Sequence, residues 1–252
     1  MNELRQVLKR LFSLHEDAAA HEEIRERIIS GGQVSGTNMC VLICAIMIAS
    51  VGLNTGSTAV IIGAMLISPI MGSILALAFG TVSVDHSQIR RNFYGFIIQV
   101  TVSVCVSAVY FLLSPINAPS SELLARTQPT FFDVIVAVAG GFAGIIGTTR
   151  KEKTGNIIPG VAIATALMPP LCTCGYSIAH ANWHMLAGAG YLFIVNTYFI
   201  YLSAAVILSV LSIPKVGKLT EKQWKRLKLK MIRNTIIIAV PSVFLTYLMI
   251  ID

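Results

Sequence analysis

Between Asn92 and Pro115 the chain runs without a single Asp, Glu, Lys, Arg or His. About 20 apolar residues in a helix cross the hydrocarbon of a bilayer. A run of this kind therefore makes lipid the solvent of the fold. Seven apolar segments read as spans: 38–53, 57–82, 92–115, 131–148, 156–180, 186–213 and 231–251. Charged residues are only 12% of the chain, half of the ~25% usual in soluble domains. That leaves too little polar surface to cover a water-soluble globule. The expected fold is an all-α polytopic membrane protein with about seven transmembrane helices.

The charges orient those spans. Of the 19 Lys and Arg, all except Arg126 fall before the first span or in the loops after the second, fourth and sixth. With seven crossings these regions share one side. The positive-inside rule makes that side cytoplasmic, so the N-terminus is expected inside and Asp252 outside a cell inner membrane. The polar first thirty residues offer no apolar core for a cleaved signal peptide. Segment 1–36 instead reads as a cytoplasmic amphipathic stretch, helical over about 2–29, with Leu4, Leu8, Leu11, Ile24 and Ile28 at helical spacing. The basic segment 215–233 reads as an interfacial helix on the anionic cytoplasmic leaflet, with Leu219, Trp224 and Leu227 toward lipid. That partner accounts for most of the +7 net charge without nucleic acid. The five cysteines sit mostly in apolar runs and do not form a disulfide pattern. The oligomeric state is open, a homo-oligomer included.

Two stretches repeat each other. "NTGSTAVIIGAMLISP" opens with Thr55, Gly56 and Ser57, and "EKTGNIIPGVAIATALMP" holds Thr154, Gly155 and Asn156. Ser57 and Asn156 are N-cap residues for the spans they open. Each Thr-Gly then runs apolar to a proline, Pro69 or Pro169. Each unit is three spans, 37–115 and 131–213, and segment 214–252 adds the basic helix and a last span. Three is odd, so the second unit enters the membrane upside down, as in many secondary transporters.

The prolines predict two broken helices, the second and the fifth. Pro69 has no N–H, so the carbonyl of Met65 loses its helical partner. Pro169 and Pro170 do the same to Thr165 and Ala166. Such carbonyls persist in hydrocarbon only where water, a ligand or another helix satisfies them. Ser68 before Pro69 has the form of a helix start, N-cap then first residue. Half-helices opening at mid-membrane would aim positive ends at an anion or carboxylate. Gln99 and Asn196 lie in the third span of each unit, at offset depth, as amides that glue helices or line a pathway. The expected substrate-binding set is thus Met65, Ser68, Pro69, Gln99, Thr165, Pro169, Pro170 and Asn196.

No Asp, Glu, Lys or Arg lies deep in any span, which disfavours carriers driven by buried carboxylates. A lipid-directed enzyme would need acid, base or metal ligands near an interface. Asp85, His86, His180 and His184 offer no nucleophile–base pair, so no catalytic residue, cofactor or resident metal is expected. Cys172 and Cys174, with Met168 and Met65, form the one soft-metal pattern, and thiols and thioethers are common apolar fillers. The expected function is a transporter or channel for a small anionic or polar solute. The alternative is a non-transporting assembly or sensor protein acting through its cytoplasmic helices.

The stretches "IASVGLNTGSTAVIIGAMLISPIMGSIL" and "IPGVAIATALMPPLC", with Asn196 downstream, resemble a family catalogued as domain of unknown function 389. The resemblance covers about residues 27–210. It implies a polytopic prokaryotic inner-membrane protein and implies no activity. Cys172 and Cys174 stand where members usually carry small apolar residues, which argues against a family-wide metal role.

Overall fold

The computed structural model describes Leu14 and residues 17–151, 159–217 and 221–251; within these, the side chains of 159–166, 221–224, 226–228, 244–246 and 248–251 lie outside the description. The described residues form ten helices and no strand, with one isolated bridge between Ala18 and Arg150. The helices are α1 His21–Gly32, α2 Gly36–Asn54, α3 Thr58–Leu66, α4 Ile70–Val82, α5 His86–Leu113, α6 Ser121–Ala125, α7 Phe131–Thr149, α8 Pro159–Ala179, α9 Trp183–Val210 and α10 Glu221–Ile251.

Four of these are long and apolar enough to cross a membrane: α2, α5, α7 and α9. A fifth arises if α3 and α4, bent by 48° at a short break, count as one span. Their outward faces carry Ile43, Met47, Ile97, Ile98, Leu112, Ile135 and Ile194, all exposed, as a lipid-facing surface requires. The protein is therefore a helical membrane protein. Segment 214–252 departs from expectation. The basic stretch and the last apolar run are one helix, α10, 31 residues long. Nothing in the sequence between Lys222 and Arg233 stops a helix, and Pro241 lies within it.

The chain turns gather at two ends. At one end, Val216 N–H donates to Ser83 C=O at 2.7 Å, Ala19 N–H to Thr149 C=O at 2.8 Å and Lys151 N–H to Asp17 C=O at 2.8 Å. Val82, Ile145, Leu211 and Ile213 share an apolar cluster there. Arg90, Arg91, Arg150, Lys151 and Lys215 belong to these turns and the first two helical turns beside them. At the other end, Asn54 donates to Ser114 at 2.6 Å, Tyr176 to the Asn117 carbonyl at 2.7 Å and Thr58 to Glu122 at 2.9 Å. Of the chain's Lys and Arg, Arg126 alone lies between α5 and α7 at this end.

Inside, α4, α5, α8 and α9 close a ring. α4 packs on α5, α5 on α8, α8 on α9 and α9 on α4. Helix α5 therefore faces α9 across the ring. Outside it, α2 leans on α5 and α8, α3 on α2 and α8, α7 on α8 and α9, and α10 on α7. Two tyrosines fasten α10 to α9. Tyr198 donates to the Met231 carbonyl and Tyr191 to the Ile238 carbonyl, at 2.8 and 2.7 Å. Each also bonds the hydroxyl four residues further along, Thr235 or Ser242.

Helix α1 is built into the basic end. Ile24 and Ile28 are buried against Ala76, Phe79, Val82 and Ile145. Arg27 donates to the carbonyls of Thr148 and Arg150 and pairs with Glu23, a cation on the C-terminal carbonyls of α7 where the helix dipole favours it. The far end of α1 lies against α4: a Cβ on Gly72 would sit 2.0 Å from the Gly31 carbonyl oxygen. The expected helix over 2–29 is thus observed as His21–Gly32. Residues 1–13 lie outside the described residues.

Candidate functional site

The first break is present. Helix α3 stops at Leu66, α4 starts at Ile70, and Pro69 holds the N-cap position with φ −84° and ψ −1°. Ser68 is therefore not the cap, and no side chain caps α4. The Met65 carbonyl is not stranded either. The chain tightens by one residue, so Ser68 N–H donates to it at 3.2 Å. Met65 is buried, Ser68 and Pro69 are half-buried, and Leu66 and Ile67 are exposed at 42% and 45%. The break sits at the edge of the bundle, where no neighbour forces the chain straight.

The second break is absent. Helix α8 is continuous from Pro159 to Ala179, with Pro169 and Pro170 inside it. Every residue from Leu167 to Ser177 is buried, because α5, α7, α9, α3 and α2 surround this helix. Proline's fixed φ suits a helix; it is the lost N–H and the ring that strain one. Close packing on all sides overrides that strain, and hydroxyls support the next turns: Thr173 donates to the Pro169 carbonyl and Ser177 to Thr173. Thr165 is helical and its side chain is outside the description, so the expected stranding at its carbonyl has no break behind it. Met65 and Ile70 do share one core with Leu167, Met168 and Leu171, so the two proline regions are neighbours.

The expected caps divide likewise. Gly56 closes α2 with φ +67°, a conformation glycine adopts without steric penalty. Ser57 N–H donates to the Gly52 carbonyl at 2.8 Å. Thr55 turns its hydroxyl back to the Val51 carbonyl. Ser57 occupies the N-cap of α3 without a side-chain bond. Thr154, Gly155 and Asn156 lie outside the described residues.

The strongest repetition lies elsewhere. Two residues past the end of α4 comes Val84 with φ 58°, and two past the end of α8 comes Ala181 with φ 52°. Next come Asp85 and Asn182. Asp85 N–H donates to the carbonyl five residues back at 2.9 Å, and Asn182 N–H does so at 2.8 Å. Both side chains then cap the following helix, Asp85 from Ser87 and Gln88 and Asn182 from Met185. Both following helices, α5 and α9, have 28 residues. Superposed on these turns, Tyr94-Gly-Phe-Ile-Ile-Gln99 matches Tyr191-Leu-Phe-Ile-Val-Asn196. Gln99 and Asn196 are each the fourteenth residue of their helix, counted from His86 and Trp183.

Counted from these turns, Gln99 and Asn196 stand in register along their helices. Counted from Thr-Gly instead, the two stretches differ in length. From Gly56 to Asp85 is 29 residues and from Gly155 to Asn182 is 27. The first stretch is thus two residues longer than the second, and it is the one that holds the break between α3 and α4.

Gln99 and Asn196 are both buried, at 1% and 3% exposure. Ser73 of α4 donates to Gln99 Oε1 at 2.8 Å and also lies 3.5 Å from the Gly32 carbonyl. One turn before the amides, Phe96 and Phe193 stack on each other, centroids 6.0 Å apart and planes 11° from parallel. The arrangement offers amides, one hydroxyl and two aromatic faces. Among the described residues no three His, Cys, Asp or Glu side chains come together in a metal-binding group, and Cys172 is held with its carbonyl accepting from Ser107.

A family profile matches residues 65–202, more than half of the chain. The chain belongs to the family described as Domain of unknown function (DUF389). The match to the DUF389 family takes in the break, the hairpin turns and both aromatic–amide sets, and leaves out α1, α2 and α10. A protein of Methanocaldococcus jannaschii, described as uncharacterised, is 29% identical over 180 residues, which cover 71% of this chain and 56% of that one. The chain thus spans about half the length of the curated relative it matches. No solved structure matches the chain.

Proposed function

We propose that this DUF389 protein is a transporter or channel that passes a small polar or anionic solute across a prokaryotic inner membrane, through the ring of α4, α5, α8 and α9. In this reading two three-span units, α2 to α5 and α7 to α9, are upside-down copies, and α10 is a seventh span. The observation that carries the reading is the matched pair at mid-helix: Phe96 with Gln99 and Phe193 with Asn196, in register on two helices of equal length. The helix pairings support it, since each unit packs in the same pattern and α5 meets α8 as α9 meets α4. The basic end is the cytoplasmic side, with the N-terminus there and the C-terminus outside. The segment 215–233 rests on the anionic leaflet. In this reading the protein is not an enzyme.

Amides and a hydroxyl can replace part of a solute's hydration by hydrogen bonding. Flux of small inorganic and carboxylate anions into proteoliposomes tests the reading. Q99A and N196A should each lower flux about tenfold, the worth of roughly one well-placed hydrogen bond to the solute. Flux equal to that of empty liposomes for every anion would remove it.

The sensor reading has one observation in its favour. Helix α1 exposes Glu22, Glu23, Arg25 and Glu26 on the face away from the bundle. Recovery of one stoichiometric cytosolic partner, lost on charge reversal of that face, would favour it.

A further inference from the structure

We propose that the Phe96–Phe193 stack is the barrier that determines what passes, and that it divides the pathway into two amide subsites, one open to each side of the membrane. This rests on the transport reading above and goes beyond it by locating the closed point. The first ground is symmetry. In a pair of related units, a residue touches its own counterpart only at the axis that relates them. Phe96 and Phe193 are counterparts by the register of α5 and α9, and they touch. They therefore mark the centre of the molecule.

The second ground is packing. α5 and α9 are opposite members of the four-helix ring and are not close-packed neighbours, whereas each packs on both α4 and α8. The two rings bridge the space that the backbones leave, each 8% exposed. A stacked aromatic pair in a hydrocarbon-lined constriction excludes water and hydrated ions until it parts.

The third ground is direction. Helix α5 starts at the basic end and α9 starts at the other. Gln99 is three residues beyond Phe96, about 4.5 Å toward the end opposite the basic one; Asn196 is the same distance beyond Phe193 toward the basic end. The amides thus flank the stack, about 9 Å apart in depth. Ser73, bonded to Gln99, belongs to the first subsite. Its counterpart in register is Pro170, which has no hydroxyl, so the subsites differ in hydrogen-bonding capacity.

Cysteine accessibility tests this without knowledge of the solute. Q99C and N196C are placed singly in a chain whose five native cysteines are replaced by alanine, and vesicles of known sidedness are treated with a membrane-impermeant thiol reagent. Q99C should react only from the side opposite the basic end and N196C only from the basic side. Adding F96A and F193A should let each react from both sides, at least tenfold faster from the side formerly closed. If the double variant does not yield folded protein, F96A and F193A singly should each raise that rate at least threefold. The F96L and F193L pair, which keeps apolar bulk, should preserve sidedness. Reaction of either cysteine from both sides with the stack intact, or sidedness unchanged after alanine replacement, overturns the barrier and leaves the transport reading standing. Silence of both cysteines from both sides in the alanine variants overturns the pathway itself.

Discussion

Asp85 and Asn182 are one device in two chemistries. Both accept backbone N–H groups at the start of a 28-residue helix, and only one can titrate. The Ser87 hydroxyl, with the N–H groups of Gln88 and Ser87, holds the Asp85 carboxyl below its ordinary range against the opposing effect of burial. A depressed carboxylate contributes stability above its unfolded pKa of about 3.9 and loses it as pH falls through the lower folded value. D85A should cost about 1 kcal/mol at neutral pH. D85N should retain most of the cap, and its difference from wild type should change only below about pH 4, as read by thermal unfolding in detergent. Glycines give a sharper contrast. A Cβ on Gly72 meets the Gly31 carbonyl oxygen, whereas one on Gly63 meets nothing within 4 Å. G72A should cost about 1–3 kcal/mol by overpacking, while G63A should gain about 0.5–1 kcal/mol by restricting the unfolded chain and favouring helix; denaturant titration separates the two. At this scale the sequence was partly legible. Gly56 was readable from its turn. The Val84 and Ala181 conformations were not, because neither residue type announces a positive φ; only their shared neighbours, an Asx residue and a new apolar run, point there.

At the scale of elements, proline content alone did not say which helix breaks. Pro69 interrupts α3–α4, and the Pro169–Pro170 pair leaves α8 whole. The difference is burial on all sides, a property of the neighbours and so invisible in the local sequence. P69A should extend α3 toward α4 and disturb the seat of α1 at Gly72. P169A and P170A should leave the fold intact and raise its stability, since each restores a helical N–H. Thermal unfolding and helicity by circular dichroism check both, and a P169A/P170A variant that fails to fold would show that α8 needs its prolines. The duplicated hairpin was legible in principle. Tyr94 to Gln99 against Tyr191 to Asn196 is a strong match, hidden because the halves differ by two residues upstream of it. Counting from the turn rather than from the proline reveals it.

For the molecule as a whole, the membrane class was written in the apolar runs, and the gathering of basic turns at one end of the bundle in the distribution of Lys and Arg. Structure added the ring of four helices and the aromatic pair across it, which depend on contacts between residues about a hundred apart. It also joined the amphipathic segment to both halves. The residues leading into α1, Asp17 and Ala19, are bonded to Lys151 and Thr149 at the end of α7, and its finish is wedged against Gly72 of α4. A stiff rod fixed to two bodies locks them together. In the transport reading, rocking of one unit past the other would first have to free one of those attachments, and among the described residues the glycine contact is the one held by a single long bond, Ser73 to the Gly32 carbonyl at 3.5 Å. The short helix before the first crossing is in that sense a brace between α4 and α7.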